Sequence, residues 1–262
     1  MRVVVCIKEV PDTTEVKIDP ETNTLIRQGV PSILNPFDMY ALETALQLKD
    51  KYPDVQVSVL SMGPPQAEKN LRDTIAMGAD EVFLITDKAF AGADTHATSY
   101  TLSTAIKHIG GADIIFAGKQ AIDGDTAQTG PGIAEWLDLP QIAFVKKIHN
   151  IGDGKLTAER STEIGYEIVE AQMPVVITIV KIESDPRLPS LRGMMKAKKS
   201  EIKKLTAKDL PVDEKKIGLS GSPTQVHKIF NPQRRAGGQI LEGETQDMVK
   251  KVLAELEKLQ VV

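Results

Sequence analysis

Cysteine is almost missing from this chain. Cys6 is the only one among 262 residues, so no internal disulfide can form and a reducing cytoplasm is the expected location. Histidine is also scarce: the four, at 96, 108, 149 and 227, lie too far apart for zinc-ligand spacing. No apolar run approaches the ~18 residues of a helical membrane span. The N-terminus lacks the charged lead, apolar core and cleavage site of an export signal and opens directly on the strand-like Arg2-Val3-Val4-Val5-Cys6-Ile7. GxSxG and HExxH are absent, and no cysteine stands near a histidine, so nothing supports nucleophilic or general acid–base catalysis by side chains. Any chemistry then belongs to a bound cofactor. Aromatic residues make up 4% of the chain, and none interrupts the basic stretch 187–199. With a net charge of −4, this argues against nucleic acid as a partner.

What the chain does have is alternation. Val3–Ile7 reads as a buried strand. After Asn35-Pro36-Phe37-Asp38, the residues Ala41, Leu42, Ala45, Leu46 and Leu48 fall on helical spacing. Val55–Met62 reads as a second strand, closed by Gly63-Pro64-Pro65, and helical residues follow as far as Met77 and the stop Gly78-Ala79-Asp80. Glu81–Ile85 is a third strand, Thr95–Ile109 a helix, Ile114–Ala117 a fourth strand and Gly130–Leu137 a helix. This order predicts βαβ units in a doubly wound, largely parallel α/β sheet. Ile142–Ile148, Lys155–Ser161, Tyr166–Glu170 and Val175–Val180 then predict an antiparallel addition. From Glu183 the periodicity fades, and 183–245, rich in Lys, Pro, Gly and Ser, offers no core of its own. It is expected to lie on a partner. Asp247–Leu259 is helical again, with Val249, Val252, Leu253, Leu256 and Leu259 on one face.

The most informative stretch is A-D-I-I-F-A-G-K-Q-A-I-D-G-D-T-A-Q-T-G (112–130). A short apolar run ends at Gly118, and a small, polar loop carrying Asp123, Asp125, Thr126, Gln128 and Thr129 leads into a helix. This layout presents backbone N–H groups to a phosphate or pyrophosphate, though neither GxGxxG nor GxxxxGK[ST] is present. An ordinary strand-to-helix loop is the alternative. In a doubly wound sheet the tips Cys6-Ile7-Lys8 and Met62-Gly63-Pro64 meet this loop, as does the helix start Asn35-Pro36-Phe37-Asp38. Singly, Cys6 is a small buried residue and Asn35 a helix cap; jointly, they leave room for an adenine, with Asn35 and Asp38 as hydrogen-bonding groups. In Gly92–Ser99, either Asp94 or Thr95 caps a helix, or Thr95 and Thr98 present hydroxyls to a ligand. In 187–199, apolar residues stand among lysines and arginines, a pattern of a solvated loop or of anchors for a partner's pocket.

These segments closely resemble the beta subunit of electron-transferring flavoproteins, from Val3 to the C-terminal helix. The carrying motifs are V-V-C-I-K-E-V-P-D (4–12), N-P-F-D-M-Y-A-L-E (35–43), S-M-G-P-P-Q-A (61–67), the loop 118–130 and R-G-M-M-K-A-K-K (192–199). G-A-D-T-H-A-T-S (92–99) and Tyr40 resemble the flavin-bifurcating branch. The resemblance implies an adenine-nucleotide-hydrolase-like fold in three parts: a nucleotide- or FAD-binding domain (1–182), a partner-recognition loop (183–200), and an arm and helix packing on an alpha subunit (201–262). It implies a nucleotide site at Cys6, Asn35, Pro36, Phe37, Asp38, Met62, Gly63, Asp94, Thr95, Thr98, Gly118, Lys119, Gln120, Ala121, Ile122, Asp123, Gly124, Asp125, Thr126, Ala127, Gln128 and Thr129. Leu188, Leu191, Met194 and Met195 would dock an acyl-CoA dehydrogenase-like flavoenzyme. In the bifurcating branch FAD accepts a hydride from NADH and passes electrons to ferredoxin or flavodoxin and, through an alpha-subunit FAD, to the dehydrogenase. The alternatives are a housekeeping carrier holding structural AMP and, more remotely, a stand-alone adenine-nucleotide-binding module.

Overall fold

The computed structural model describes residues 1–12, 31–227 and 237–260. They fall into two units, Met1–Ile229 and Phe230–Val262. The first contains β1 (Arg2–Cys6), β2 (Glu9–Pro11), β3 (Ser32–Leu34), α1 (Pro36–Lys51), β4 (Gln56–Met62), α2 (Glu68–Met77), β5 (Glu81–Ile85), α3 (Thr95–His108), β6 (Ile114–Gly118) and α4 (Thr129–Leu137). It continues with β7 (Gln141–Gly152), β8 (Lys155–Ser161), β9 (Tyr166–Gln172), β10 (Val175–Ile179), α5 (Leu191–Lys199) and β11 (Lys203–Leu205). The second unit carries α6 (Thr245–Lys258). No helix among the described residues is long and apolar enough to cross a membrane.

The main sheet runs in the order β11-β5-β4-β1-β6-β10-β7-β8-β9, and β2 and β3 form a separate antiparallel pair. From β11 to β7 every neighbouring pair is parallel. A parallel strand covered on both faces has no solvent side, which is why β1 reads Val3-Val4-Val5-Cys6. Successive residues feed opposite cores. Val3, Val5 and Ile7 join Leu42 and Leu46 of α1 and Leu71 of α2, whereas Val4 and Cys6 join Leu102 and Ile106 of α3 and Ile133 of α4. The chain lays β4 and then β5 on one side of β1 and returns to lay β6 on the other. Ligands bind open α/β sheets outside the carboxyl ends of the strands at such a reversal.

Two expectations need correction. β7, β8 and β9 do form an antiparallel addition, but β10 inserts between β6 and β7, parallel to both. All five residues of Val175–Ile179 are buried, so this strand needs cover on both faces, while β9, with exposed alternate residues, takes the edge. The second correction concerns 191–221, which has no core of its own but is not a free arm. β11 pairs with β5, and Ala197, Ile202, Leu210 and Ile217 are buried in the cores of the first unit. Each of these residues completes a core already built, so the stretch shows no period. Residues 228–236 of the expected arm lie outside the described residues. On α6, Val249, Val252 and Leu253 are exposed.

Candidate functional site

The carboxyl ends of β4, β1 and β6 are adjacent, with Cys6 in register with Leu60 on one side and Ala117 on the other. Met62, Cys6 and Gly118 therefore end three neighbouring strands. α1 starts over them, with Pro36 in its first turn, where no backbone N–H is needed. Asn35 occupies the cap position but makes no side-chain capping bond. Its fully buried amide reaches the loop instead: Nδ2 donates to the Gln120 carbonyl at 2.8 Å, and Oδ1 accepts from the Ile122 N–H at 3.1 Å. A primary amide is suited to this, since it offers a donor and an acceptor side by side. The capping role is thus replaced by a loop-pinning one.

Asp38, one turn further on and buried, plays the matching part. Its two oxygens accept from Lys8 N at 2.8 Å and Gly118 N at 3.0 Å, which ties the ends of β1 and β6 to α1. A Cβ on Gly118 would stand 2.6 Å from the Phe37 carbonyl carbon, so the approach of helix to strand requires glycine. Burial pushes the Asp38 carboxyl up to about 7, against the lowering effect of these backbone donors. Burial, and after it the charge of Asp38, pushes the Cys6 thiol up to about 12. The thiol is therefore neutral and unreactive, which favours the packing role for Cys6.

The loop itself is tied to the sheet at its start and braced internally. Lys119 N donates to the Ile179 carbonyl at 2.8 Å and Asp125 N to the Ala121 carbonyl at 2.9 Å, while the Gln120 side chain donates to the Asp125 carboxylate. Asp125 and Ala127 take left-handed φ values of 53° and 55°. For alanine this conformation is unfavourable by about 1–2 kcal/mol, the kind of strain that collects at ligand sites. Ala127 is followed by Gln128 in the right-handed region, a pairing that turns successive N–H groups into a concave nest. Among the described residues, the N–H groups of Thr126, Ala127 and Gln128 meet no protein acceptor, and α4 opens at Thr129 without a side-chain cap. An uncovered nest leading into an uncapped helix start suits an anionic phosphate.

Gly92–Ser99 meets this loop at one point, where the Thr95 hydroxyl donates to Gln128 Oε1 at 3.1 Å. Thr98 is half-buried one turn along α3. Asp94 is the α3 cap, its Oδ1 accepting from His96 N at 2.9 Å and Ala97 N at 3.0 Å. Its other oxygen accepts from Thr224 N and Oγ1 at 3.0 and 2.8 Å. The capping role thus falls to Asp94, while the Thr95 hydroxyl reaches the loop. Met62 and Gly63 are half-buried at the end of β4, and no hydrogen bond among the described residues joins them to the loop. Pro36, Ile122, Asp123, Gly124 and Asp125 are exposed, and Phe37 and Ala121 are half-buried.

Sequence reasoning placed the tip Cys6-Ile7-Lys8 at this loop but gave Lys8 no role in the site. Its Nζ grips both Asp123 oxygens, at 2.7 and 2.8 Å, and closes β1 onto the middle of the loop. The one available signal was a basic residue at the tip of the first strand. A groove of about 460 Å³ lies elsewhere, lined by Ile33, Met39, Tyr40, Met77 and the segment 186–189; among the expected nucleotide-site residues only Pro36 borders it. The loop is an open backbone cradle.

Leu188, Leu191 and Met195 are exposed, at 86%, 78% and 62%, and Met194 stands beside them on α5. Ser190 caps this helix by accepting from Gly193 N at 3.0 Å. Gly193 lies directly on the end of α2, where a Cβ would stand 2.8 Å from the Ala76 carbonyl carbon.

A family model described as the electron transfer flavoprotein domain matches residues 22–210. An electron transfer flavoprotein subunit beta from Megasphaera elsdenii is 51% identical, over 99% of this chain and 98% of its own length. The caffeyl-CoA reductase-Etf complex subunit CarD of Acetobacterium woodii is 50% identical over 94% of this chain and 93% of its own. Protein FixA of Azotobacter vinelandii is 43% identical over 99% and 94%.

Proposed function

Because the chain belongs to the electron transfer flavoprotein family, as a beta subunit, we propose that it binds FAD at the 118–129 loop and serves the bifurcating kind of electron transfer. The observation that carries this reading is the nest at Thr126, Ala127 and Gln128, uncovered among the described residues and joined through Thr95 to the start of α3. The nest and the first turn of α4 would take the dinucleotide's phosphates. Asn35 and Asp38 would hold the loop in shape from behind, and Thr95 and Thr98 would offer hydroxyls towards the flavin half. When bound, the flavin supplies hydride acceptance from NADH and electron transfer, in one direction to ferredoxin or flavodoxin and in the other through an alpha-subunit FAD to an acyl-CoA dehydrogenase-like enzyme. The protein's share is placement, exclusion of water and hydrogen bonding.

The relative named for a caffeyl-CoA reductase-Etf complex supports an acyl-CoA-linked flavoenzyme as partner. Leu188, Leu191, Met194 and Met195 would dock that enzyme, and α6, with its exposed apolar residues, would pack on the alpha subunit. The reducing cytoplasm suits a chain whose one thiol is buried. The test is to purify the heterodimer with its alpha subunit and count cofactors. Two FAD per heterodimer, with bleaching of both by NADH, is the expected result; one FAD with one AMP, and no response to NADH, would reduce the chain to a housekeeping carrier.

Docking gives a separate prediction. Leu191→Ala removes an exposed apolar anchor of the kind that contributes about 1–3 kcal/mol at an interface. The KM for an acyl-CoA dehydrogenase that the wild-type heterodimer reduces saturably should rise roughly tenfold, with flavin content unchanged. Loss of flavin would instead make the segment part of the cofactor domain.

A further inference from the structure

The segment just before the docking residues is held by one face of α1. Glu43, Gln47 and Asp50, at i, i+4 and i+7, share that face. Arg187 Nε and Nη2 donate to the two oxygens of the buried Glu43 at 2.9 and 3.0 Å, its backbone N–H donates to Glu43 Oε2 at 3.0 Å, and Nη2 also reaches Asp50 at 2.7 Å. Gln47 Nε2 bridges Glu43 Oε1 at 3.2 Å and Ser184 Oγ at 2.8 Å. Beyond the docking residues, Arg72 of α2 donates to the Ala197 and Ser200 carbonyls at 2.7 and 3.0 Å. The stretch carrying Leu188, Leu191 and Met195 is therefore anchored on α1 at one end and on α2 at the other. Its first residues, up to Pro189, line one side of the groove that Met39, Tyr40 and Met77 line from those two helices.

We infer that Arg187, with Glu43, Gln47 and Asp50, is the positioning group of the docking surface: it fixes the segment before partner binding, so that the partner meets an ordered surface. Only a planar guanidinium with several donors can hold both Glu43 oxygens and Asp50 at once. Ordering such a segment only on binding would be paid in affinity. α1 is also the helix whose start, at Asn35 and Asp38, holds the nucleotide loop, so docking segment and cofactor loop share one rigid support. The inference rests on the docking reading above.

The experiment uses the complete heterodimer and, as probe, the same acyl-CoA dehydrogenase. Arg187→Ala should raise its KM roughly tenfold, with kcat and flavin content unchanged and with faster amide hydrogen exchange across 188–195. Arg187→Lys should give an intermediate KM. Because Arg187→Ala strands the Glu43 carboxylate, the double variant Glu43→Gln with Arg187→Gln provides the same loss without a buried lone charge, and it should show the same KM. An unchanged KM in the double variant, where Leu191→Ala has raised it, overturns this inference alone. An unchanged KM in Leu191→Ala removes the docking reading and this inference with it. A fall in kcat or in flavin content in the double variant would make the cluster a support of the cofactor domain and also overturn the inference.

Discussion

Asn35→Ala should weaken adenine-nucleotide binding by about a hundredfold or more while leaving the sheet folded. The side chain makes two hydrogen bonds to the loop, to the Gln120 carbonyl and the Ile122 N–H. Leaving a buried polar group without its partner is unfavourable by about 1–3 kcal/mol, and here two are stranded at once. At about 1.4 kcal/mol per tenfold, the lower end of that sum, about 2 kcal/mol, is roughly thirtyfold, and its middle, about 4 kcal/mol, exceeds a hundredfold. The loop escapes part of the penalty by moving out towards water, and its nest at 126–128 is then no longer formed in advance. The helix start survives, because its bonds are backbone ones: Asn35 N donates to the Lys8 carbonyl at 2.8 Å and Asp38 N to the Asn35 carbonyl at 2.9 Å. Asn35→Asp is the sharper variant. It keeps an acceptor for Ile122 but sets a second oxygen against the Gln120 carbonyl, and should bind no better than the alanine form. Calorimetric titration of cofactor-stripped heterodimer with ADP, beside circular dichroism, checks both; wild-type affinity in either variant would show that Asn35 does not set the loop.

The contrast between Asn35 and Asp94 shows where sequence reading succeeds and stops. Both are polar residues at a helix start. Asp94 caps its own helix, a bond across two or three residues that local spacing can suggest. Asn35 bonds to residues 85 and 87 positions away, and Lys8 to one 115 positions away, contacts that exist only once β1 and β6 are neighbours. The parallel core was legible because strands covered on both faces are almost wholly apolar, as in Val3–Cys6 of β1 and in β10, where Thr178 is the one polar residue. The insertion of β10 between β6 and β7 was not, since a largely apolar strand signals burial without naming its neighbours. The nest was half legible: small residues announce an open loop, but nothing in the letter Ala announces the left-handed turn at Ala127. Leu191 stood out for the opposite reason, as an apolar residue in a run of charge with no period to bury it.

Asp38 should give stability and nucleotide grip opposite slopes with pH near neutrality. Its carboxyl is pushed up to about 7, first by burial. Between the ordinary carboxyl range and that value, the folded chain holds a proton that the unfolded chain has released. The stabilisation from that retained proton is full below about pH 4 and fades as pH rises through 7, an effect on the order of a few kcal/mol for a shift of this size. The Cys6 thiol beside Asp38, pushed up to about 12, stays neutral throughout this window, and the Lys8 side chain is engaged with Asp123. Grip runs the other way. Only the ionised carboxylate accepts freely from both Lys8 N and Gly118 N, so the strap across β1 and β6 tightens as pH rises. An amide at this position has one accepting oxygen and turns an NH2 towards the other donor. Asp38→Asn should therefore flatten both profiles between pH 5 and 8, with ADP affinity fixed near the weaker, acid-side value of the wild type. Thermal unfolding and ADP titration across that range, wild type against variant, isolate Asp38 from every other titrating group. A variant that kept the wild-type slopes would place the titration elsewhere and leave Asp38 a purely structural strap.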